Sequence, residues 1–233
     1  MSSSPSRASV STEGRRSAIL RAAYRVMARE GVHRTPLDRV AAEARVSKGL
    51  LLYHFHSKDA LVLAAMEWVL NATAARIRKA LAAGDKQAAQ QAKIELLKFE
   101  LKVFKERADK YPTDNKVKFE LGKRLVQARS YDQAIPMLQE ARNDPKNRTA
   151  CMLLIGRCFL EKGLHAQAIT SLNQAIGEHE LVGDDLGKSL YYWLGRACEA
   201  AGKPEDAAKA FGQVIQWDYN YKDVRGRLEA LEE

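Results

Sequence analysis

Apolar residues recur along this chain at steps of three and four from Ile19 to Leu231, and no stretch alternates long enough to nominate a strand. The pattern predicts an all-α protein. A helix over residues 15–30 places Ile19, Ala22, Ala23, Val26 and Met27 in one stripe with Arg on its other face, and Gly31 supplies a left-handed stop. Thr35-Pro36-Leu37-Asp38 opens the next helix, with Thr35 as cap, Pro36 at the first helical position and Asp38 reaching back to close a capping box. That helix runs to Ala44, a short turn intervenes, and a third starts at the capping residue Ser47. Ala41 is small where these two short helices must approach, and Val40, Val46, Leu51 and Phe55 supply the contacts that fix their crossing. Lys48, Leu50, Tyr53 and His54 are left facing outward, a donor, a methyl-rich side chain and two polar aromatics, a set suited to base edges and phosphates in a major groove.

A long helix over residues 58–82 carries Leu61, Ala64, Ala65, Trp68 and Ala72 on one face and Leu63, Met66 and Leu70 on a second, so it must be covered on more than one side. Gly84-Asp85 breaks it. The next helix, residues 86–110, holds the heptad-like series Ile94, Leu97, Leu101, Phe104 and Ala108, which fits packing against the C-terminal region or, alternatively, a dimerising coiled coil. Beyond it the grammar changes. Aligning Gly122 with Gly156, 34 residues on, also aligns Leu121 with Ile155, Ala134 with Ala168, Leu138 with Leu172 and Ala141 with Ala175. A third copy, with five extra residues in a loop over residues 178–188, matches at Leu194, Gly195, Ala207, Phe211 and Val214. Residues 223–232, with Val224, Leu228 and Leu231 inward, read as a polar-backed cap.

Charge sharpens this division. Residues 1–83 hold 11 Arg and 3 Lys against 6 acidic residues, whereas residues 84–233 hold 24 basic against 23 acidic and prefer Lys to Arg by 15 to 9. The excess of a chain with net charge +9 therefore sits almost wholly in the first third, which points to a polyanionic partner there. Residues 1–12, Ser-rich with Pro5 and Arg7, read as a disordered basic arm able to touch DNA. The leader has no apolar core for a signal peptide, and no later stretch approaches the eighteen or more apolar residues of a membrane span, so the chain is expected in the cytoplasm. Cys151, Cys158 and Cys198 are odd in number and have no ligand-spaced neighbours, which makes them reduced core residues.

The stretch RTPLDRVAAEARVSKGLLLYHFHSKDAL, residues 34–61, resembles the DNA-binding domain of TetR-family regulators, including the SKG start, the LLYHF end and the SKDAL opening of the next helix; the likeness covers about residues 13–83. By that resemblance Ser47, Lys48 and Leu50 lie nearest the bases, while Thr35, Tyr53, His54 and Lys58 hold phosphates, Lys58 at a helix N-terminus where the dipole favours an anion. Three positions depart from the family: Arg45 where its turn usually has Gly, Leu50 where a small residue or Thr is frequent, and His56 where Pro is frequent. A left-handed Arg45 would store strain on the order of 1 kcal/mol, which a phosphate contact could offset on DNA. The helix bundle that in this family binds an effector and makes the dimer is not recognisable here. A homodimer would read a palindromic operator, and a lone domain only a half-site.

The second region resembles the tetratricopeptide repeat, in which Gly and Ala at fixed positions let paired antiparallel helices stack into a superhelix; the likeness covers about residues 98–233. It implies a concave peptide groove, here with Lys123, Arg157 and Arg196 after the three repeat glycines and Phe119, Leu153 and Tyr192 four positions earlier. That column fits an acidic peptide or a chain's C-terminal carboxylate, although the Asn residues of the family's chaperone-binding carboxylate clamp are absent. No cofactor or metal is expected and nothing looks catalytic, since His33, His54, His56, His165 and His179 lack paired carboxylates or a nucleophile at sensible spacing. The organisation is then a basic arm (1–12), a helix-turn-helix domain (13–83), a linking helix (84–111) and a repeat array with its cap (112–233). Two readings stay open: a DNA-binding transcriptional regulator with a repeat array for its interaction module, or an engineered or recombined fusion serving as a protein-interaction scaffold with an idle DNA-binding domain.

Overall fold

The computed structural model of the chain describes residues 12–32 and 35–232. The expected disordered arm lies outside the described residues except for Thr12, which opens the first helix. Among the described residues there is no strand, and the chain forms two compact units, Met1–Glu106 and Arg107–Glu233.

In the first unit, α1 (Thr12–Glu30), α2 (Leu37–Ala44), α3 (Lys48–Phe55) and α4 (Lys58–Ala82) enclose a core in which the α1 stripe meets Val40, Leu51, Phe55, Leu61 and Ala65. Helix α5 (Lys86–Lys110) closes it over residues 86–106. Its Val103 enters the same core, the Phe99 ring lies edge-on to Tyr24 at 5.0 Å, and Lys102 donates to the Ala28 carbonyl. The Glu106 carboxylate accepts the Val32 N–H at 2.6 Å. The segment read as a linker is therefore a wall of this unit. None of the heptad-like series is fully buried; the fully buried residues of α5 are Ala89, Ala92 and Val103. Gly31 takes φ 92°, a backbone conformation that favours glycine, and a Cβ there would fall 2.5 Å from a Glu106 carboxylate oxygen and displace that side chain. One expectation fails on α4. An 18-residue window in it has mean hydropathy 1.3, enough by length and composition to cross a membrane. Leu61, Ala65, Val69 and Thr73 of this helix are buried inside the protein, which accounts for part of that apolarity.

The second unit is a solenoid of three helix pairs: α6 (Asn115–Gln127) with α7 (Tyr131–Ala141), α8 (Arg148–Glu161) with α9 (His165–Gly177), and α10 (Asp185–Ala200) with α11 (Pro204–Trp217), closed by α12 (Val224–Glu232). The repeat glycines mark the closest approach within each pair. A Cβ at Gly122, Gly156 or Gly195 would lie 2.6, 2.7 or 2.5 Å from Leu138, Leu172 or Phe211 respectively, and all three of those side chains are fully buried. The intra-pair turns repeat as well. Residues 129, 163 and 202 are left-handed, and the next N–H in each case, Ser130, Leu164 or Lys203, reaches back to the carbonyl of Leu125, Phe159 or Cys198 at 2.9 Å. This is the Schellman closure, and it favours glycine at the left-handed position. Gly163 and Gly202 comply; Arg129 does not, at φ 58°. Arg129→Gly is expected to raise stability by up to about 1 kcal/mol, seen as a higher denaturant midpoint at unchanged slope.

The inserted loop ends earlier than expected, at Asp184, because that carboxylate accepts the Gly187 N–H at 2.7 Å and starts α10 there. Contrary to expectation, His179 does have a carboxylate: its Nε2 lies 2.7 Å from the same Asp184 oxygen. Burial pushes the Asp184 carboxyl up, but His179 and the Gly187 N–H outweigh it and hold the group below its ordinary value. The pair braces a helix cap. Cys151, Cys158 and Cys198 are free and buried, and burial pushes the first two thiols up to about 12 and about 11. They stay protonated and unreactive at neutral pH.

Candidate nucleic-acid interface and repeat groove

Helix α2 ends in a Schellman closure of its own. Arg45 is left-handed at φ 56°, ψ 43°, its N–H on the Ala42 carbonyl at 3.1 Å and the Val46 N–H on Ala41 at 2.9 Å. Ser47 then starts α3 by accepting the Leu50 N–H at 3.1 Å, which leaves its hydroxyl hydrogen available to a ligand. Leu51 and Phe55 point inward, and the Arg16 guanidinium covers the Phe55 ring at 5.3 Å. Ser47, Lys48 and Tyr53 are exposed, with Leu50 and His54 half-buried beside them. At eight residues α3 is about 12 Å long, the width of a B-DNA major groove.

Lys48 holds Asp38 of α2 at 3.1 Å, an exposed pair that a phosphate or a base acceptor can replace at little cost. Lys58 opens α4 behind the cap of Ser57, which accepts the Ala60 N–H. His56 takes φ 58° with its N–H on the Leu52 carbonyl at 2.7 Å, a conformation a proline ring forbids, so this departure from the family is built into the backbone.

Two expectations on α2 are corrected. Thr35 is only 1% exposed, and its hydroxyl donates to the Gly31 carbonyl at 2.7 Å, so it anchors the α1–α2 connection and cannot offer that group to a phosphate. Nor is there a capping box. Pro36 is the N-cap residue and no side chain caps the helix, because Thr35 is turned inward and Asp38 faces Lys48. The Arg-rich face of α1 is also partly committed. Arg25 and Arg29 both hold Glu43 of α2, at 2.8 and 2.9 Å, and first Arg29 and then Arg25 keep that carboxyl below its ordinary value. The clamp is intact above the usual carboxylate pKa and is lost as pH falls through the lowered one.

In the sequence Gly49 figures only as the last residue of the SKG start. It sits exposed in the first turn of α3, and an added Cβ would meet nothing closer than the Ser47 hydroxyl at 3.9 Å. Among the described residues nothing needs glycine there, and in a helix it costs about 1 kcal/mol relative to Ala. A bare backbone on the outward face is what close approach by a ligand calls for.

In the repeat array the basic column of Lys123, Arg157 and Arg196 is present on α6, α8 and α10, but its members differ. Lys123 pairs with Glu120 at 3.0 Å and lies over Phe119 at 5.3 Å. Burial pushes Glu120 up, and Lys123 and Arg124 outweigh it to hold the carboxyl down. Arg196 reaches Glu199 at 3.8 Å and the Tyr192 hydroxyl at 3.4 Å. Arg157 stacks 4.4 Å from the Trp193 ring, its Nε is buried with no hydrogen-bond partner, and burial lowers its pKa. Leu153 and Tyr192, expected to line the groove, are 8% and 5% exposed. Leu153 packs into the core of the second and third pairs, and Tyr192 is tied through its hydroxyl to Asp223 at 2.8 Å beside the cap helix. Their place is taken by Trp193 and Lys222, which the repeat alignment could not nominate. Lys222 lies outside the repeats, and its ammonium comes within 4.1 Å of the Tyr192 ring and 5.7 Å of Trp193. Three cations thus gather at one indole, while Glu199 and Asp223 are both engaged by Arg227 at 2.6 and 2.8 Å.

Residues 19–65 match the family model described as bacterial regulatory proteins, tetR family, and residues 119–181 match the one described as tetratricopeptide repeat. Both matched families are non-catalytic. Among solved structures, a chain titled "MamA RS-1 ArsTM double mutant" is similar at 17% identity and a TM-score of 0.49, covering 72% of this chain and 83% of that one. No curated protein matches the sequence.

Proposed function

We propose that this chain is a sequence-specific DNA-binding regulator of the cytoplasm, with α3 laid in the major groove and the repeat array serving as the module that receives a protein partner. The outward face of α3 carries the reading. Ser47 and Lys48 meet bases at its N-terminal end with Leu50 on a thymine methyl, the Gly49 backbone comes closest to the duplex, and Arg45, Tyr53, His54 and Lys58 take the flanking phosphates. About four to six such phosphate contacts per domain give a slope of log affinity against log salt of roughly −4 to −5. Selection of bound duplexes from random DNA with the full chain tests this. An enriched motif that Lys48→Glu abolishes is the expected outcome, and no enrichment at moderate salt would leave the fusion scaffold with an idle DNA-binding domain as the better account. Arg45→Gly separates fold from function: relief of the left-handed strain raises thermal stability by up to about 1 kcal/mol, while loss of the guanidinium weakens DNA binding. Unchanged affinity would remove the contact.

For the array, the gathering of Arg157, Arg196 and Lys222 at the Trp193 ring supports an acidic segment as the partner, its carboxylate joining those three cations over the indole. Because Lys123 already has Glu120, Lys123 and Arg157 should respond unequally. Arg157→Glu is expected to lower affinity for an acidic peptide at least tenfold and Lys123→Glu by less, measured by fluorescence anisotropy. Equal, small effects would return the column to a solvated surface.

A further inference from the structure

We propose that α4 carries a self-complementary seam for a second copy of this chain, packed antiparallel about a two-fold axis at the level of Ala72. Leu63, Leu70 and Leu81 are 64%, 44% and 53% exposed, and with the half-exposed Met66, Ala74 and Ile77 they form one stripe. At 3.6 residues per turn the stripe runs about 27 Å along α4, on the side away from the buried Leu61, Ala65 and Val69. Its flanks differ. Met66 and Ile77 edge it on one side and Glu67 and Arg78 on the other, both charges exposed and neither in an ion pair among the described residues. Eleven residues apart, or about 16 Å along the helix, those two cannot meet within one chain.

An antiparallel two-fold axis brings like flanks together. It sets Leu63 against the partner's Leu81, Leu70 against the partner's Ala74, and Met66 against the partner's Ile77. On the other flank Glu67 faces the partner's Arg78, and the symmetry makes that contact twice. Parallel packing would bring unlike flanks together and set the charges against methyl groups. The charge pattern therefore chooses both the occupant, a second copy, and its direction. A single helical seam is smaller than the roughly 800 Å² per partner of a stable interface, so the free dimer is expected to be weak and reversible.

Association through this seam is independent of DNA binding, and its test is made without DNA. Sedimentation equilibrium of the full chain should show a reversible dimer that Leu70→Asp and Glu67→Arg each weaken at least tenfold, and that the double swap Glu67→Arg with Arg78→Glu restores. All three positions are exposed, so thermal melts of the variants should match the parent; if Leu70→Asp melts lower, the charge swap still decides. A chain monomeric up to its solubility limit, a dimer indifferent to Leu70→Asp, or a swap that fails to restore association would overturn the proposal.

Discussion

Gly195→Ala is expected to destabilise the repeat array by about 1–3 kcal/mol, while the same change at Gly212, in the next helix, stabilises it. Both glycines are helical, where Ala is favoured by about 1 kcal/mol, so propensity alone predicts a gain at each. Packing reverses the sign at one of them. A Cβ at Gly195 would lie 2.5, 2.6 and 2.8 Å from three ring carbons of Phe211, which is fully buried and has no room to yield, whereas Gly212 has nothing within 4 Å. Overpacking of this kind costs more than the propensity gain. The loss should spread beyond its own pair, because Phe211 and Tyr192 share the core that receives Val224 of the cap. Denaturant melts of the two variants check it; the same direction of change at both positions would refute the close-packing account.

Gly49→Leu is expected to leave the fold as stable or slightly more so and to lower operator affinity more than a hundredfold. The position is open to solvent in the first turn of α3, so a larger side chain meets nothing in the protein and gains helix propensity. On DNA the same side chain stands where the backbone of a recognition helix must come closest to the groove, between Ser47 and Leu50. Melting temperature and gel-shift titration on the selected site measure the two effects. Retained affinity would move the reading surface off the start of α3, towards Tyr53 and Lys58. This variant discriminates more sharply than Lys48→Glu, since it changes no charge.

Much of this was legible in the sequence because short-range chemistry fixed it. The α1 stripe, the Gly31 stop, the Ser47 cap and the 34-residue repeat each depend on residues within a turn or a pair of one another, and the structure places all of them as read. The left-handed Arg45 was expected only through the resemblance, from the glycine usual at that turn, and the structure places it there at φ 56°. What failed were statements about what a side chain faces across the fold. Thr35 has the composition of a cap or a phosphate ligand, but packing of the first unit buried it to 1% exposure and its hydroxyl turned to the Gly31 carbonyl. Tyr192 stands at a groove position of the repeat, yet a cap helix some thirty residues away claimed it. Trp193 and Lys222 were not legible for the converse reason, as neither lies at a position the repeat period singles out.

By itself the sequence determined the helical class and the two kinds of region, and it nominated the outward residues of α3, since periodicity, capping and motif are local. The tertiary structure alone decided which groups are spent and which stay open: Arg25 and Arg29 went to Glu43 and Lys123 to Glu120, while Arg157, Arg196 and Lys222 were gathered at Trp193 and the Leu63 to Leu81 face was left exposed. The physical reason is that a hydrogen bond or an apolar contact is satisfied by whatever packs against it, and the order of residues along the chain does not say what that is.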